Sequence, residues 1–250
     1  MNAFILKIIA MITMLIDHVG AVFNLSDVLR CIGRISFPLY ALMVVDGCNH
    51  LRKDERRLRK YMIFMIVMAV ISEAGFDLAF YSHFPDSDMQ NQLLQFATYV
   101  MGVYITEYFN RPYITIPVWI LIIFINFTGR FGYFSAGIIY MLLVDRYLRY
   151  YKKMNAFYRI VWCIVIITTL VYNEVADSLL YYLQDWTRIR QYISRHGFTV
   201  SKINSFTYLA VPFMALYNGE YGNIPVGFRR LYHLFYPAHL YLLAALNLLF

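Results

Sequence analysis

Ionisable side chains lie inside stretches of this sequence that are otherwise apolar. Asp17 and His18 stand in the first apolar run, and Glu73 and Asp77 stand in the third, spaced so that they share one face of a helix. At about 1.5 Å of rise per residue, His18 and Asp77 reach similar depths and are expected to meet. A buried imidazole beside a carboxylate is the usual general-base arrangement. A structural polar cluster that joins two helices is the alternative.

The other polar residues in apolar runs fall into two expected layers. The outer layer holds Asp17, His18, Arg34, Glu73, Asp77 and Asn91, and the inner layer holds Asp46, His50, Asn218 and His239. Lys7 precedes His18 by three helical turns, so the two share a helix face about 16 Å apart. Lys7 is also explained as an interfacial anchor whose ammonium reaches the lipid headgroups. An ionisable residue inside a membrane by default indicates a function and a partner.

Composition shows which elements must position these residues. The chain of 250 residues is 60% hydrophobic and 15% charged, against roughly 45–50% and about 25% in soluble domains. Its apolar runs approach the ~20 residues that a helix needs to cross a bilayer. A disordered chain, a disulfide scaffold and a soluble nucleic-acid binder are therefore excluded, and the net charge of +7 is attributed to membrane orientation.

The apolar runs predict an all-α, polytopic membrane helix bundle of about nine transmembrane helices in a single domain, 1–250. An interfacial helix is expected near 178–195, where arginines alternate with aromatic and aliphatic residues. The fifth and eighth spans are short, so one of them is expected to be tilted, broken or partly inserted. The nine spans are 3–23, 32–48, 60–82, 91–109, 114–128, 133–149, 157–177, 205–217 and 233–250.

Orientation follows from the basic residues, which are retained on the cytoplasmic side of a membrane. Lys and Arg concentrate in the loops 49–60 and 145–159, and Arg229 and Arg230 precede the last span. An alternating bundle places these three segments inside if the N-terminus is inside and the C-terminus outside. We therefore predict a multi-pass protein of the cell membrane.

Familiar soluble-enzyme motifs are missing from the sequence. It contains no GxxxxGK, GxGxxG, HExxH or GxSxG. Its three cysteines form no CxxC pair, so neither a metal site nor a disulfide framework is predicted.

Six motifs, in order, carry a resemblance that covers almost the whole chain. They are LKIIAMITMLIDHVGAVF, CIGRISFPLYALMVVDG, ISEAGFDLAFY, NQLLQF, ALYNGEYG and LFYPAHLYLL. In combination they resemble the TraX family, named for the conjugal-transfer protein linked to N-terminal acetylation of F-type pilin. That family is similar to a broader group of membrane acyltransferases, including polysaccharide O-acetyltransferases and the lysosomal heparan N-acetyltransferase. Those enzymes move acyl groups from cytosolic acyl-CoA to acceptors across the membrane.

The resemblance implies roles for individual residues. His18 would be the catalytic base or a transient acyl carrier, oriented by Asp17, Glu73 or Asp77. Arg34 or Asn91 would bind the substrate and the developing oxyanion. Lys7 takes the place of the arginine in an Arg-x10-His pattern found in some of those acyltransferases. The residues expected to contact acyl-CoA are Lys7, Asp46, Asn218, Arg229, Arg230, Tyr236 and His239.

The function expected from these observations is transfer of an acetyl or short acyl group from cytosolic acyl-CoA. The acceptor would be a peptide N-terminal amine, as in pilin, or a glycan hydroxyl at the outer membrane face. Neither a metal nor a nucleic acid is expected to take part. A proton-coupled transporter or flippase, with Asp17, His18, Glu73 and Asp77 relaying protons, is the alternative, and a non-catalytic membrane scaffold is the third.

Overall fold

The computed structural model describes residues 1–86, 89–172 and 201–249, without the side chains of Val226, Arg229 and Arg230. All regular elements within these ranges are helical, and they form a helix bundle, as predicted. The interfacial helix expected near 178–195 lies outside the described residues, as do the side chains of the two arginines assigned to acyl-CoA.

Polar caps start several of the helices. The side chain of Asn2 accepts a hydrogen bond from the Ile5 amide, and Asp54 and Asn155 cap later helices in the same way. Such caps satisfy amides that have no partner within the helix. The first eight helices are α1 Ala3–Val22, α2 Asp27–Gly33, α3 Ser36–Leu51, α4 Glu55–Phe80, α5 Gln92–Phe109, α6 Pro112–Thr128, α7 Phe134–Tyr150 and α8 Ala156–Val171.

The remaining described helices begin after residue 200. They are α9 Lys202–Ser205, a 3₁₀ segment Phe206–Ala210, α10 Val211–Ala215 and α11 Val226–Asn247. The predicted span 205–217 is thus divided into short pieces. Pro212 stands in the first turn of α10, where its missing amide costs no helix hydrogen bond but where a continuing helix would be interrupted.

The second predicted span, 32–48, is broken in the structure. Pro38 lies in the first turn of α3, where its missing amide costs no helix hydrogen bond. The break comes earlier, between Gly33 and Ser36, and separates the short α2 from α3.

Helix α3 lies in the middle of the bundle and packs against α1, α5 and α7. Its residues Leu39, Leu42 and Val45 are fully buried, and the hydroxyl of Tyr140 on α7 donates to the Pro38 carbonyl oxygen at 3.0 Å. Helix α11 packs against α1 and α4, so the beginning and the end of the described chain meet beside α3.

Three described helical segments are long and apolar enough to cross a membrane: Ala3–Val22, Asp27–Leu51 and Glu55–Phe80. Two shorter apolar helices, Pro112–Thr128 and Ala156–Val171, accompany them. Large apolar side chains of α6, among them Ile116, Ile120 and Phe124, are more than half exposed, as expected of a surface that faces lipid. The full number of nine crossings stays a prediction.

Candidate active site

A cavity of about 910 Å³ runs between α1, α2, α3, α4 and α11. Lys7 lies on its wall in the first half of α1, and Asp17 and His18 lie on its wall in the second half. The rise of an α-helix separates Lys7 from His18 by about 16 Å, so the cavity follows α1 over much of its length. The loops before α5 and α7 close the end near His18, where Gln90 and Tyr133 line the wall.

His18 is held in place by a second histidine. Its Nδ1 lies 2.7 Å from Nε2 of His239 on α11, and the two rings are stacked with centroids 4.9 Å apart. His239 is buried and lies behind His18 as seen from the cavity, since His18 lines the cavity and His239 is not among the described residues that do. Phe80 and Tyr236 meet the His18 ring edge-on.

The hydrogen bonds fix which nitrogen of His18 can act as a base. Nδ1 of His239 lies 2.7 Å from the Phe235 carbonyl oxygen, which can only accept, so this nitrogen carries the proton. In the neutral ring, Nε2 of His239 is then an acceptor, and Nδ1–H of His18 donates to it. The lone pair of His18 is therefore on Nε2, and no described residue forms a hydrogen bond to that nitrogen.

Two arginines surround the carboxylate of Asp17, the residue directly before His18. Arg30 on α2 and Arg34 just after it lie 3.2 Å from Asp17 Oδ2 and Oδ1, respectively. Arg34 also donates to the Tyr133 hydroxyl at 3.1 Å and, at 3.5 Å, to the Arg30 carbonyl oxygen. The three ionised groups Asp17, Arg30 and Arg34 carry a net charge of +1 at the end of the cavity that holds His18.

Gly33 allows α2 to lie this close to α1. A Cβ atom at this position would overlap the side chain of Asp17. Only glycine therefore fits between the two arginines and the carboxylate that they bind.

The amide of Gln95, fully buried on α5, holds the loop that carries Tyr133. Its Nε2 donates to the carbonyl oxygens of Phe131 and Phe134 at 3.0 and 2.6 Å, and its Oε1 accepts from the Tyr133 amide at 3.2 Å. Gln92 Nε2 donates to the same Oε1 at 2.7 Å. A polar residue of α5 thus places the hydroxyl that Arg34 contacts.

The opposite end of the cavity combines a cation with aromatic rings. The ammonium of Lys7 lies 4.6 Å from the ring centroid of Tyr232 and 5.4 Å from that of Tyr221. Tyr232 stacks on Tyr40, and Tyr61 lies on the same wall. This end can therefore bind an anionic or planar group through a cation and aromatic faces.

Three residues of the predicted site have structural roles instead. Glu73 accepts from the side chain and backbone amide of Asn91, whose side chain also donates to the Ala69 carbonyl oxygen. Asp77 accepts from the Asp86 amide at 2.9 Å. None of these side chains is among the described residues that line the cavity. The prediction that Glu73 or Asp77 orients His18 is wrong, because their helix face turns toward the loop before α5.

Asn91 was predicted to donate to substrate, and the structure contradicts this. Both of its Nδ2 hydrogens are used within the protein, and its Oδ1 accepts from the Leu93 amide at 2.8 Å to cap α5. Asp17, the third candidate to orient His18, instead pairs with the two arginines. Arg34 lines the cavity, and its role in binding substrate stays a prediction.

Two of the predicted acyl-CoA contacts face the protein interior or its surface. Asp46 accepts from the Tyr217 hydroxyl at 2.9 Å, and Asn218 donates to Glu220 at 2.7 Å. Neither is among the described lining residues, whereas Lys7 and Tyr236 are. The Tyr236 hydroxyl accepts from the Gln92 amide at 3.2 Å.

His239 was predicted in the inner layer, and the structure places it beside His18. Helix α11 begins at Val226, seven residues before the predicted span, so His239 lies about 20 Å along it at 1.5 Å per residue. His18 lies about 22 Å along α1 by the same measure. The two helices begin close together, where the Ala3 amide donates to the Glu220 carbonyl oxygen at 2.8 Å, so their histidines meet.

Sequence reasoning missed Arg30, Tyr133 and Gln95. Arg30 follows the first span in a polar stretch, where a single arginine is ordinarily attributed to topology. The spacing of Arg30 and Arg34, one helical turn apart, was the available signal. Among the described residues, no group of His, Cys, Asp and Glu side chains is arranged to hold a metal ion.

Comparisons with known proteins identify the family to which this chain belongs. The TraX protein family matches residues 3–247. The chain is 27% identical over 259 residues to the probable fimbrial assembly protein FimC, serogroup H1, of Dichelobacter nodosus, covering 98% of this chain and 95% of that protein. No solved structure matches it significantly. With a family match over nearly its whole length and helices able to span a bilayer, the chain is a membrane protein that belongs to the TraX family.

Proposed function

We propose that this protein is a multi-pass acyltransferase of the cell membrane. It moves an acetyl or short acyl group from cytosolic acyl-CoA to an amine or hydroxyl at the outer face. The observation that carries the proposal is a histidine with a fixed tautomer inside a cavity that extends about 16 Å along α1.

In this proposal, His18 Nε2 acts as the general base. It takes a proton from the acceptor as the acceptor nitrogen or oxygen attacks the thioester carbonyl carbon. The tetrahedral intermediate then collapses, the C–S bond breaks, and the proton on His18 passes to the departing CoA sulfur. A general base positioned in this way accelerates such a reaction by about 10²–10⁴-fold.

The developing oxyanion needs a donor close to His18. Arg34 is the candidate, since it lines the cavity and is fixed by Asp17 and Tyr133. One of the two hydrogens on its Nη1 binds the Tyr133 hydroxyl, which leaves the other for the oxyanion. A preorganised guanidinium stabilises negative charge more effectively in a site with little water than at an exposed surface.

The donor would enter from the Lys7 end of the cavity. Lys7 supplies a positive charge for a phosphate, and Tyr221 and Tyr232 offer aromatic faces for a base. The cavity volume of about 910 Å³ lies near the upper limit of ordinary ligand pockets, roughly 300–1,000 Å³. An elongated donor that reaches from one end toward the other is compatible with this volume.

The proposal also specifies how the protein is oriented in the membrane and which acceptor it uses. The basic loops favour a cytoplasmic N-terminus and an outer C-terminus across nine spans. This places Lys7 toward the cytoplasm and His18 toward the outer face. The FimC relative is named for fimbrial assembly, which supports a pilin-like peptide amine as the acceptor over a glycan hydroxyl.

Radiolabelled acetyl-CoA and an amine acceptor, alanylglycine, supplied to the purified protein in an uncharged detergent test the proposal. CoA release and label transferred to the acceptor are measured for the wild type, for His18→Ala and for His83→Ala. His83 is the matched control, since its side chain is 63% exposed in the loop after α4. We expect turnover that falls at least about 100-fold in His18→Ala and is retained in His83→Ala. Folded wild-type protein that neither binds nor consumes acetyl-CoA would refute the proposed acyltransferase activity.

A proton-coupled transporter is the second candidate. It is favoured by the ionisable side chains along one continuous cavity, Lys7 in one half of α1 and Asp17 and His18 in the other. Its activity would follow an imposed proton gradient in proteoliposomes and would not require acyl-CoA. The acetyl-CoA experiment therefore separates the two candidates.

A further inference from the structure

We infer that the acceptor carries an anionic group, a carboxylate or a phosphate, which binds Arg30 next to the nucleophile that is acylated. This inference rests on the proposed function and specifies its acceptor. It starts from the charge of the cavity. Among the described lining residues the ionised groups are Lys7, Arg30 and Arg34, against the single carboxylate of Asp17.

The two arginines beside His18 differ in how much of their hydrogen-bonding capacity is used. Arg34 has a side chain that is 13% exposed, and its Nε, Nη1 and Nη2 groups all have partners. Arg30 is 28% exposed, and only its Nη1 is used, by the side chain and the carbonyl oxygen of Asp17. In the described part of the chain, Nε and Nη2 of Arg30 have no hydrogen-bond partner.

An arginine with a free Nε–Nη2 edge presents the two parallel donors that a carboxylate or phosphate accepts. Asp17 cannot neutralise both guanidinium groups, so a positive charge is left over beside the base. Asp27, on the same helix as Arg30, is exposed and forms no ion pair with it among the described residues. Arg30 shares Asp17 with Arg34 and is partly exposed to the cavity, so an anionic acceptor would supply a partner for its unused edge.

Location distinguishes this anion from the phosphates of the donor. Arg30 pairs with Asp17, the residue directly before the base, whereas Lys7 lies three turns earlier on α1. A donor held by its phosphates at the Lys7 end places its acyl group near His18. The anion at Arg30 then belongs to the molecule that meets the acyl group, which is the acceptor.

Matched acceptors that differ in one anionic group test the inference. The pairs are alanylglycine and alanylglycinamide, phosphoethanolamine and ethanolamine, and glucuronic acid and glucose. Comparison of the pairs distinguishes a carboxylate from a phosphate as the bound anion, and an amine from a hydroxyl as the nucleophile that is acylated. Each pair is assayed with acetyl-CoA in an uncharged detergent, which removes lipid phosphates, for the wild type, Arg30→Gln, Arg30→Lys and the exposed control Arg57→Gln.

We expect the wild type and Arg57→Gln to prefer the anionic member of at least one pair by about tenfold in kcat/KM. In Arg30→Gln this preference falls to within about twofold, because the rate with the anionic member falls more than the rate with the neutral member. Arg30→Lys keeps part of it, because a lysine retains the charge but not the paired donors. Equal rates for both members of every pair in the wild type would overturn the inference, as would an equal loss for both members in Arg30→Gln.

A binding measurement keeps the inference testable without turnover. Thermal unfolding of each variant is followed with the same acceptors, and the anionic member should raise the midpoint in the wild type but not in Arg30→Gln. Absence of any difference between members overturns the inference. Failure of the proposed function is recognised separately, by acetyl-CoA consumption that does not depend on His18.

Discussion

Replacing His239 by leucine removes the acceptor that fixes the tautomer of His18. The Nδ1–H of His18 donates to Nε2 of His239 at 2.7 Å, and leucine leaves this N–H without a partner in a mostly apolar surrounding. An unsatisfied buried donor costs about 1–3 kcal/mol. The ring then favours other orientations and the opposite tautomer by that amount, so the state with a free lone pair on Nε2 becomes scarce.

If the substitution destabilises only the reactive state of His18 by this free energy, kcat falls about 5- to 150-fold, since each 1.36 kcal/mol is a factor of ten. His239 is not among the described residues lining the cavity, so KM for acetyl-CoA should change little. The assay is steady-state CoA release in detergent, with the thermal unfolding midpoint measured in parallel to confirm that each variant is folded.

His239→Gln is the matched control, because its side-chain amide oxygen can occupy the position of the imidazole Nε2 and accept from His18. We expect it to recover most of the activity that His239→Leu loses. In the double variant His18→Ala/His239→Leu, the second substitution should add almost no further loss, because His239 acts through His18. Wild-type kcat in a folded His239→Leu protein, or no difference between Gln and Leu, would refute the tautomer argument.

Two further substitutions test how the site is supported. Gly33→Ala should destabilise the protein by about 1–3 kcal/mol, because the new methyl group displaces Asp17; an unchanged unfolding midpoint would contradict the close approach of α2 to α1. Gln95→Leu should lower the unfolding midpoint further, since each buried group that loses its partner costs about 1–3 kcal/mol. It should also reduce kcat, because the loop that positions Tyr133 is no longer held. Stable protein with normal kcat would show that the loop is held by other contacts.

Apolar runs predicted the helical class and most of the helices, because length and hydrophobicity determine which segments can be buried in lipid. The helix start at Val226 could not be read in this way. The stretch 226–232 contains two arginines and was assigned to a loop. A helix that begins at a membrane surface tolerates charge in its first turns, so hydrophobicity marks the buried part of such a helix and misses its beginning.

The candidate base was found from sequence, but its partner was not. The type and depth of a residue follow from its position in a run, whereas its neighbours depend on how each helix is rotated about its axis. Glu73 and Asp77 lie at suitable depth but face the loop before α5, where they bind Asn91 and the Asp86 amide. The rotation of α11 that brings His239 to His18 results from packing against α1 and α4, which no local pattern encodes.

The contact between His18 and His239 joins residues 221 positions apart. A ribosome inserting this chain into a membrane releases α1 long before α11 exists, so for most of synthesis His18 has no acceptor for its ring N–H. The pair of histidines is therefore completed only after α11 has been synthesised and has docked against α1 and α4. A protein cut or stalled before α11 would contain His18, both arginines and most of the cavity wall, but would lack the acceptor that fixes the tautomer of His18. Under the proposed function, activity would therefore depend on the docking of α11 as well as on the presence of His18.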